Sequence, residues 1–189
     1  MPCFGQSCKT SYLAFSIMTE SKKENSNDDP SGEASEDADS KKRKLYVGLD
    51  LGTLQSCILS RLSKPGSEEN HGTLVPTVVG YPEDGILAGI LPGNAKMLHG
   101  DEALANELHL RLVHPLSDGV VSDLDATKSF LGYLREKVDP ERKREVYCVI
   151  GIPAVADGDA KDNLKKAAKG AFDGILFIPE PFLAALGMR

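Results

Sequence analysis

A carboxylate followed closely by a glycine and a hydroxyl is the densest concentration of chemistry-bearing groups in this 189-residue chain: Asp50-Leu51-Gly52-Thr53. Leu45 to Leu49, just before it, form an apolar run with no polar alternation, as expected of a strand covered on both faces. Apolar residues resume at Cys57-Ile58-Leu59. A glycine in such a turn lets the backbone approach a ligand closely, and successive N–H groups with a threonine hydroxyl can cradle a phosphate. A carboxylate at the strand end can hold magnesium, usually through waters, because magnesium keeps much of its hydration shell. The stretch is therefore either a phosphate-binding hairpin with Asp50 facing a metal, or an ordinary hairpin with these four residues as its turn.

The elements that must position this turn follow in order. Leu74-Val75-Pro76-Thr77-Val78-Val79 reads as an extended segment with an edge-type proline, and Tyr81 to Gly85 as a turn before a short apolar stretch, Ile86 to Leu91. Gly100 to Leu108 is helix-like, with Ala103, Leu104 and Leu108 at helical spacing. His114 to Gly119 is a turn-rich connection. Asp123 to Val138 is the clearest amphipathic helix, capped by Asp123 or Asp125, with Leu124, Thr127, Phe130, Leu131, Leu134 and Val138 on one stripe and Pro140 ending it. Val146 to Ile152 is a continuous apolar strand, and Ala160 to Ala171 a helix with Lys161, Lys165, Lys166 and Lys169 on its wet side. Gly174 to Ile178 reads as a third buried strand, and Glu180-Pro181 opens a final helix through Leu186. The alternation is that of an α/β fold with a mixed sheet.

Composition narrows the function classes. With 41% hydrophobic and 26% charged residues, the chain suits one soluble domain with a real core. Its net charge of -6 argues against general affinity for nucleic acid, and no apolar run is long enough for a transmembrane helix. Cys3, Cys8, Cys57 and Cys148 lack paired metal-ligand spacing, and Cys57 and Cys148 read as small hydrophobes in apolar strands, which suits a reduced, cytoplasmic setting. His71, His99, His109 and His114 fall in loops or on a polar helix face, without a triad or metal partner, and read as incidental. Thr19 to Ser40 has no aromatic or large aliphatic residue, so residues 1–43 are expected to form a disordered extension, with Met18 as a plausible start and the folded unit beginning near Lys44.

Taken together these segments resemble the N-terminal half of the bacterial actins, of MreB and magnetosome-filament type, within the actin, sugar-kinase and heat-shock-chaperone ATPase superfamily. The likeness runs from about Lys44 to Gly187 and rests on five motifs in order. They are Asp50-Leu51-Gly52-Thr53, Leu74 to Val79, His114-Pro115-Leu116-Ser117-Asp118-Gly119 to Asp123, Gly151-Ile152-Pro153-Ala154, and Glu180 to Gly187. The resemblance implies a ribonuclease H-like first lobe over residues 44–189, with a small inserted subdomain at about 80–113 and the chain stopping before the second phosphate loop. It implies ATP and Mg2+ as cofactors, with Asp50 holding hydrated magnesium and Gly52, Thr53, Leu54 and Gln55 lining the phosphates mostly by backbone. Leu54 departs from the small residue usual there. Glu180 would be catalytic, orienting the water that attacks the γ-phosphate, although out of this context it reads first as a helix-N-terminal glutamate favoured by the dipole. Self-association into cytoplasmic filaments, magnetosome-associated or not, is the implied assembly. The rival readings are a non-catalytic module that docks on filaments of a full-length actin-like paralogue, and a chaperone-type ATPase relative.

Overall fold

In a computed structural model the described residues are 43–62, 71–83, 91–154 and 158–186. The N-terminal extension, the loop from Lys64 to Asn70, Asp84 to Ile90 and the stretch after Leu186 lie outside them.

The framework is a five-stranded mixed sheet. Strand β1 (Lys44–Leu51) turns back into β2 (Gln55–Leu62), and β2 pairs antiparallel with β3 (His71–Pro76). On its other side β1 runs parallel to β9 (Glu145–Ile152), which is parallel in turn to β10 (Gly174–Pro179), so the order is β10-β9-β1-β2-β3. The central position of β1 and β9 explains their unbroken apolar runs. Val47, Val146, Cys148, Val149 and Ile150 are completely buried.

Two helices cover one face. Helix α2 (Leu124–Val138) begins at Asp123, whose carboxylate accepts the Ala126 N–H at 2.8 Å, so Asp123 and not Asp125 is the cap. Phe130, Leu131 and Leu134 of α2 and Leu164, Ala167 and Ala168 of α3 (Gly158–Ala168) enclose the odd-numbered residues of β1 and the even-numbered ones of β9 in the main core. Leu124 is 42% exposed and does not belong to that stripe. Its place on the buried side is taken by Arg135, one residue from the apolar series.

Between β3 and α2 the chain builds a separate small sheet. Strand β4 (Val79–Pro82) lies between β5 (Leu98–His99) and β6 (Leu110–Val113), with α1 (Gly100–Ala105) against it. Val78, Leu91, Leu98, Ala103 and Leu110 form its own core. Tyr81 and Pro82 are thus strand residues paired with Arg111 and Leu110, where the sequence suggests a turn. The helix also stops earlier than its pattern implies, leaving Leu104 and Leu108 exposed at 41% and 88%. A six-residue helix presents barely one face to a three-stranded sheet, and Ala103 fills it.

A third departure concerns β10. It is a half-buried edge strand with Leu176 47% exposed, not a buried one. Among the described residues it has a hydrogen-bonded neighbour on one side only, and α4 (Glu180–Leu186), with Leu183 completely buried, follows it directly. A short hairpin of β7 (Leu116–Ser117) and β8 (Val120–Val121) precedes α2. Its turn residues Asp118 and Gly119 both have positive φ, 50° and 75°, the backbone that two-residue hairpins require and that Asp-Gly supplies readily. Among the cysteines, Cys148 is a free thiol whose burial pushes its pKa up, and Cys57 is completely buried in β2.

Candidate functional site at the carboxyl ends of the parallel strands

Parallel strands finish together, and in open α/β sheets that edge is where ligands bind. Here Leu49 of β1 is level with Ile150 of β9, and Ile152 with Pro179 of β10. The register therefore brings Asp50, the end of β9 and Glu180 to one edge of the sheet. Asp50 and Glu180 are two strand spacings apart, about 10 Å across the sheet. Asp50 is 8% exposed, and alternation along β1 puts it on the face opposite Leu49 and Leu51, which belong to the main core.

The turn after Asp50 is tight. A Cβ added at Gly52 would run into the backbone carbonyl oxygen of Gln55, so glycine is required by the close approach of the chain to itself. Leu54 carries its side chain outward, 71% exposed, while its carbonyl accepts the Thr77 N–H at 2.9 Å. Bulk at this position consequently leaves the turn backbone undisturbed. Thr53 Oγ1 accepts from the Gly119 N–H at 3.4 Å, which links the turn to the β7–β8 hairpin. That hairpin is pinned in turn against the end of β9, because a Cβ on Gly119 would come within 2.8 Å of Pro153 Cγ. Gln55 starts β2 and is exposed.

Glu180 is the first residue of α4, half-buried, and among the described residues no hydrogen bond or ion pair ties its carboxylate. No group of three or more His, Cys, Asp or Glu gathers to hold a metal among the described residues. Asp50, at the end of β1, is the carboxylate here that could hold a metal ion.

Several residues at this edge escape a sequence reading. Ser56 Oγ and Thr77 Oγ1 are 2.8 Å apart and fully buried, and His114 Nδ1 lies 3.1 Å from the Thr77 carbonyl oxygen. The available signal is faint: a serine and a threonine interrupting otherwise apolar strand sequence. His99 is likewise not incidental. Its ring stacks on Tyr133 with centroids 4.9 Å apart, and Nε2 lies 2.7 Å from Ser129 Oγ, joining the small sheet to α2.

Comparison with known proteins decides the family. The model of the MreB/Mbl protein family matches residues 44–189, nearly all of the described chain. This chain belongs to the MreB/Mbl family. It is 32% identical over 152 residues to the actin-like protein MamK of Magnetospirillum gryphiswaldense, a match that covers 78% of this chain and 40% of MamK. The chain thus spans about two fifths of the curated relatives it matches, corresponding to their N-terminal part. Among solved structures, a MamK double helical filament superposes with a TM-score of 0.63 at 30% identity, covering 74% of this chain and 42% of that one. A non-polymerising MamK mutant bound to AMPPNP gives the same TM-score at 31% identity, covering 75% and 42%. The fold is the actin-like α/β fold.

Proposed function

We propose that this MreB/Mbl-family chain supplies the first-lobe half of a nucleotide site in a filament-forming, actin-like ATPase of the cytoplasm. The observation that carries the proposal is the Gly52 turn at the common end of β1, β9 and β10. Its backbone leaves no room for a Cβ, and two carboxylates flank it across the sheet edge. In this reading the Gly52 to Gln55 backbone takes phosphate oxygens of ATP, and the Thr53 hydroxyl adds one contact. Asp50 anchors the hydrated magnesium ion. Glu180 orients water toward the terminal phosphate, a positioning role that suits a carboxylate unpaired among the described residues. A MamK relative bound to AMPPNP and MamK filaments with the same fold support nucleotide binding and self-association as properties of this fold.

Titration of 15N-labelled protein with Mg-ATP tests the proposal. The amides of Gly52 to Gln55 should shift, with a dissociation constant of roughly a millimolar or weaker, because one partial cradle buries little of the ligand. Turn amides that stay unmoved up to about ten millimolar nucleotide, on the same scale, would end the assignment.

A further inference from the structure

The chain enters the small sheet between β3 and β4 and leaves it between β6 and β7, and both crossings meet at one residue. Thr77 lies in the first crossing and is completely buried. The Val78 N–H donates to the Pro76 carbonyl at 3.0 Å, which makes Thr77 the centre of a three-residue turn. Each polar group of Thr77 points to a different element. Its N–H donates to the Leu54 carbonyl in the Gly52–Gln55 turn, at 2.9 Å. Its hydroxyl pairs with that of Ser56 at the start of β2, at 2.8 Å. Its carbonyl faces His114 Nδ1, 3.1 Å away on the outgoing crossing. A carbonyl can only accept, so His114 carries its proton on Nδ1. Immediately beyond, Val79 and Val113 are paired across β4 and β6.

A buried residue held by three hydrogen bonds moves with its partners or leaves polar groups unsatisfied. Displacement of the turn, felt at the Leu54 carbonyl through the Thr77 N–H and at Ser56 through the Thr77 hydroxyl, is therefore passed to the strands on either side of both crossings. We infer that Thr77 is a positioning residue that couples the Gly52–Gln55 turn to the small sheet, so that an anion drawn into the turn re-aims the β4–β6 pair. The anion in that statement rests on the nucleotide reading proposed above, whereas the mechanical coupling does not.

The test perturbs the turn in two ways, by Mg-ATP and by Gly52→Ala, and reads the 1H–15N shifts of Val79 to Tyr81 and Leu110 to Val113. Both perturbations should move these amides in the native background and in Thr77→Ser. In Thr77→Val, which keeps the shape and the N–H bond to Leu54 but loses the hydroxyl bond to Ser56, the movement should fall to roughly half, one of the two links on the turn side being gone. Small-sheet shifts of equal size in Thr77 and Thr77→Val overturn the inference, as does a Gly52→Ala protein whose small sheet is undisturbed. Should Mg-ATP move no turn amide while Gly52→Ala still acts through Thr77, the nucleotide reading fails and the coupling stands. Where Thr77→Val does not fold, Ser56→Ala removes the same hydroxyl contact from the β2 side.

Discussion

The two ends of the five-stranded sheet spend polar groups in opposite ways. Where β9 begins, the charges satisfy one another. Arg135, its side chain only 7% exposed, pairs with Asp139 at 3.2 Å and donates to the Arg144 carbonyl at 3.0 Å. Asp139 accepts the Arg144 N–H at 2.9 Å, and Asp173 accepts the Val146 N–H at 2.7 Å while lying 4.0 Å from Arg135. Where the strands finish, the glycine turn is open, Leu54 projects into solvent, and the Glu180 carboxylate has no partner among the described residues. A closed network in a low-dielectric setting contributes rigidity, and breaking one member leaves a buried charge uncompensated. The open end has unused hydrogen-bonding capacity, which is what a ligand site needs. Stability and binding should therefore be separable by mutation.

The largest expected effect is at the closed end. Arg135→Ala should destabilise the fold by about 3 kcal/mol, measured by urea unfolding, because buried Asp139 then keeps only the more distant Arg144 guanidinium, 3.7 Å away, to balance its charge. A loss below about 1 kcal/mol would place the pair with surface salt bridges and erase the contrast. Replacing both members, Arg135→Met with Asp139→Leu, should recover part of the stability, since the buried charge is gone while the Arg144 N–H loses its acceptor.

At the open end, Gly52→Ala should cost about 1–3 kcal/mol, because the added methyl forces the Gln55 carbonyl aside. It should also abolish nucleotide-induced shifts, an outcome Arg135→Ala should not share at temperatures where that variant remains folded. Loss of ligand response in both would mean the two ends are not independent.

Acid should weaken the molecule in two smaller steps. Burial lowers the His99 pKa, so the folded protein favours the neutral ring, and stability present above about 6.5 should decline as pH falls below that value. Burial pushes Asp139 up, but hydrogen bonds from the Arg144 N–H and the Arg135 side chain, with both guanidinium charges, outweigh it and leave its pKa lowered. Its contribution is present above the ordinary value of 3.8 and is lost as pH falls below it. Melting temperature followed from pH 7 to pH 3 should show both steps, with His99→Phe removing the upper and Asp139→Asn the lower.

The smallest stability effect should be that of Glu180→Ala, within about 0.5 kcal/mol, as expected where no partner is lost. In a longer family member that turns over nucleotide, the corresponding change should lower phosphate release and spare binding. Equal loss of both would assign the glutamate to anchoring and not to water.

What could be read from residue order alone was the part governed by local periodicity and turn chemistry. The uninterrupted runs at Leu45 to Leu49 and Val146 to Ile152 identified strands that ended up central, because only a strand covered on both faces tolerates apolar side chains on both. The Asp50-to-Thr53 turn, a cap at Asp123 or Asp125 and the stop before Pro140 follow from steric and hydrogen-bonding preferences that reach no further than a few residues, and the structure gives the cap to Asp123.

Which surfaces are covered was a different matter, since burial depends on neighbours that are distant in sequence. Gly174 to Ile178 looks as buried as β9, but the parallel crossovers put it at the edge, where one hydrogen-bonding side has no strand among the described residues. Leu104 and Leu108 match a helical core stripe, yet the small sheet has area only for Ala103. Arg135 is buried on the helix it belongs to because Asp139, Asp173 and the Arg144 carbonyl converge on it from separate segments. Thr77 becomes a junction only when both crossings of the small sheet meet there. The sequence by itself determined the local elements and the residues able to do chemistry. The tertiary structure alone decided which of them meet, because convergence is set by strand order and register, and those are choices of the whole sheet.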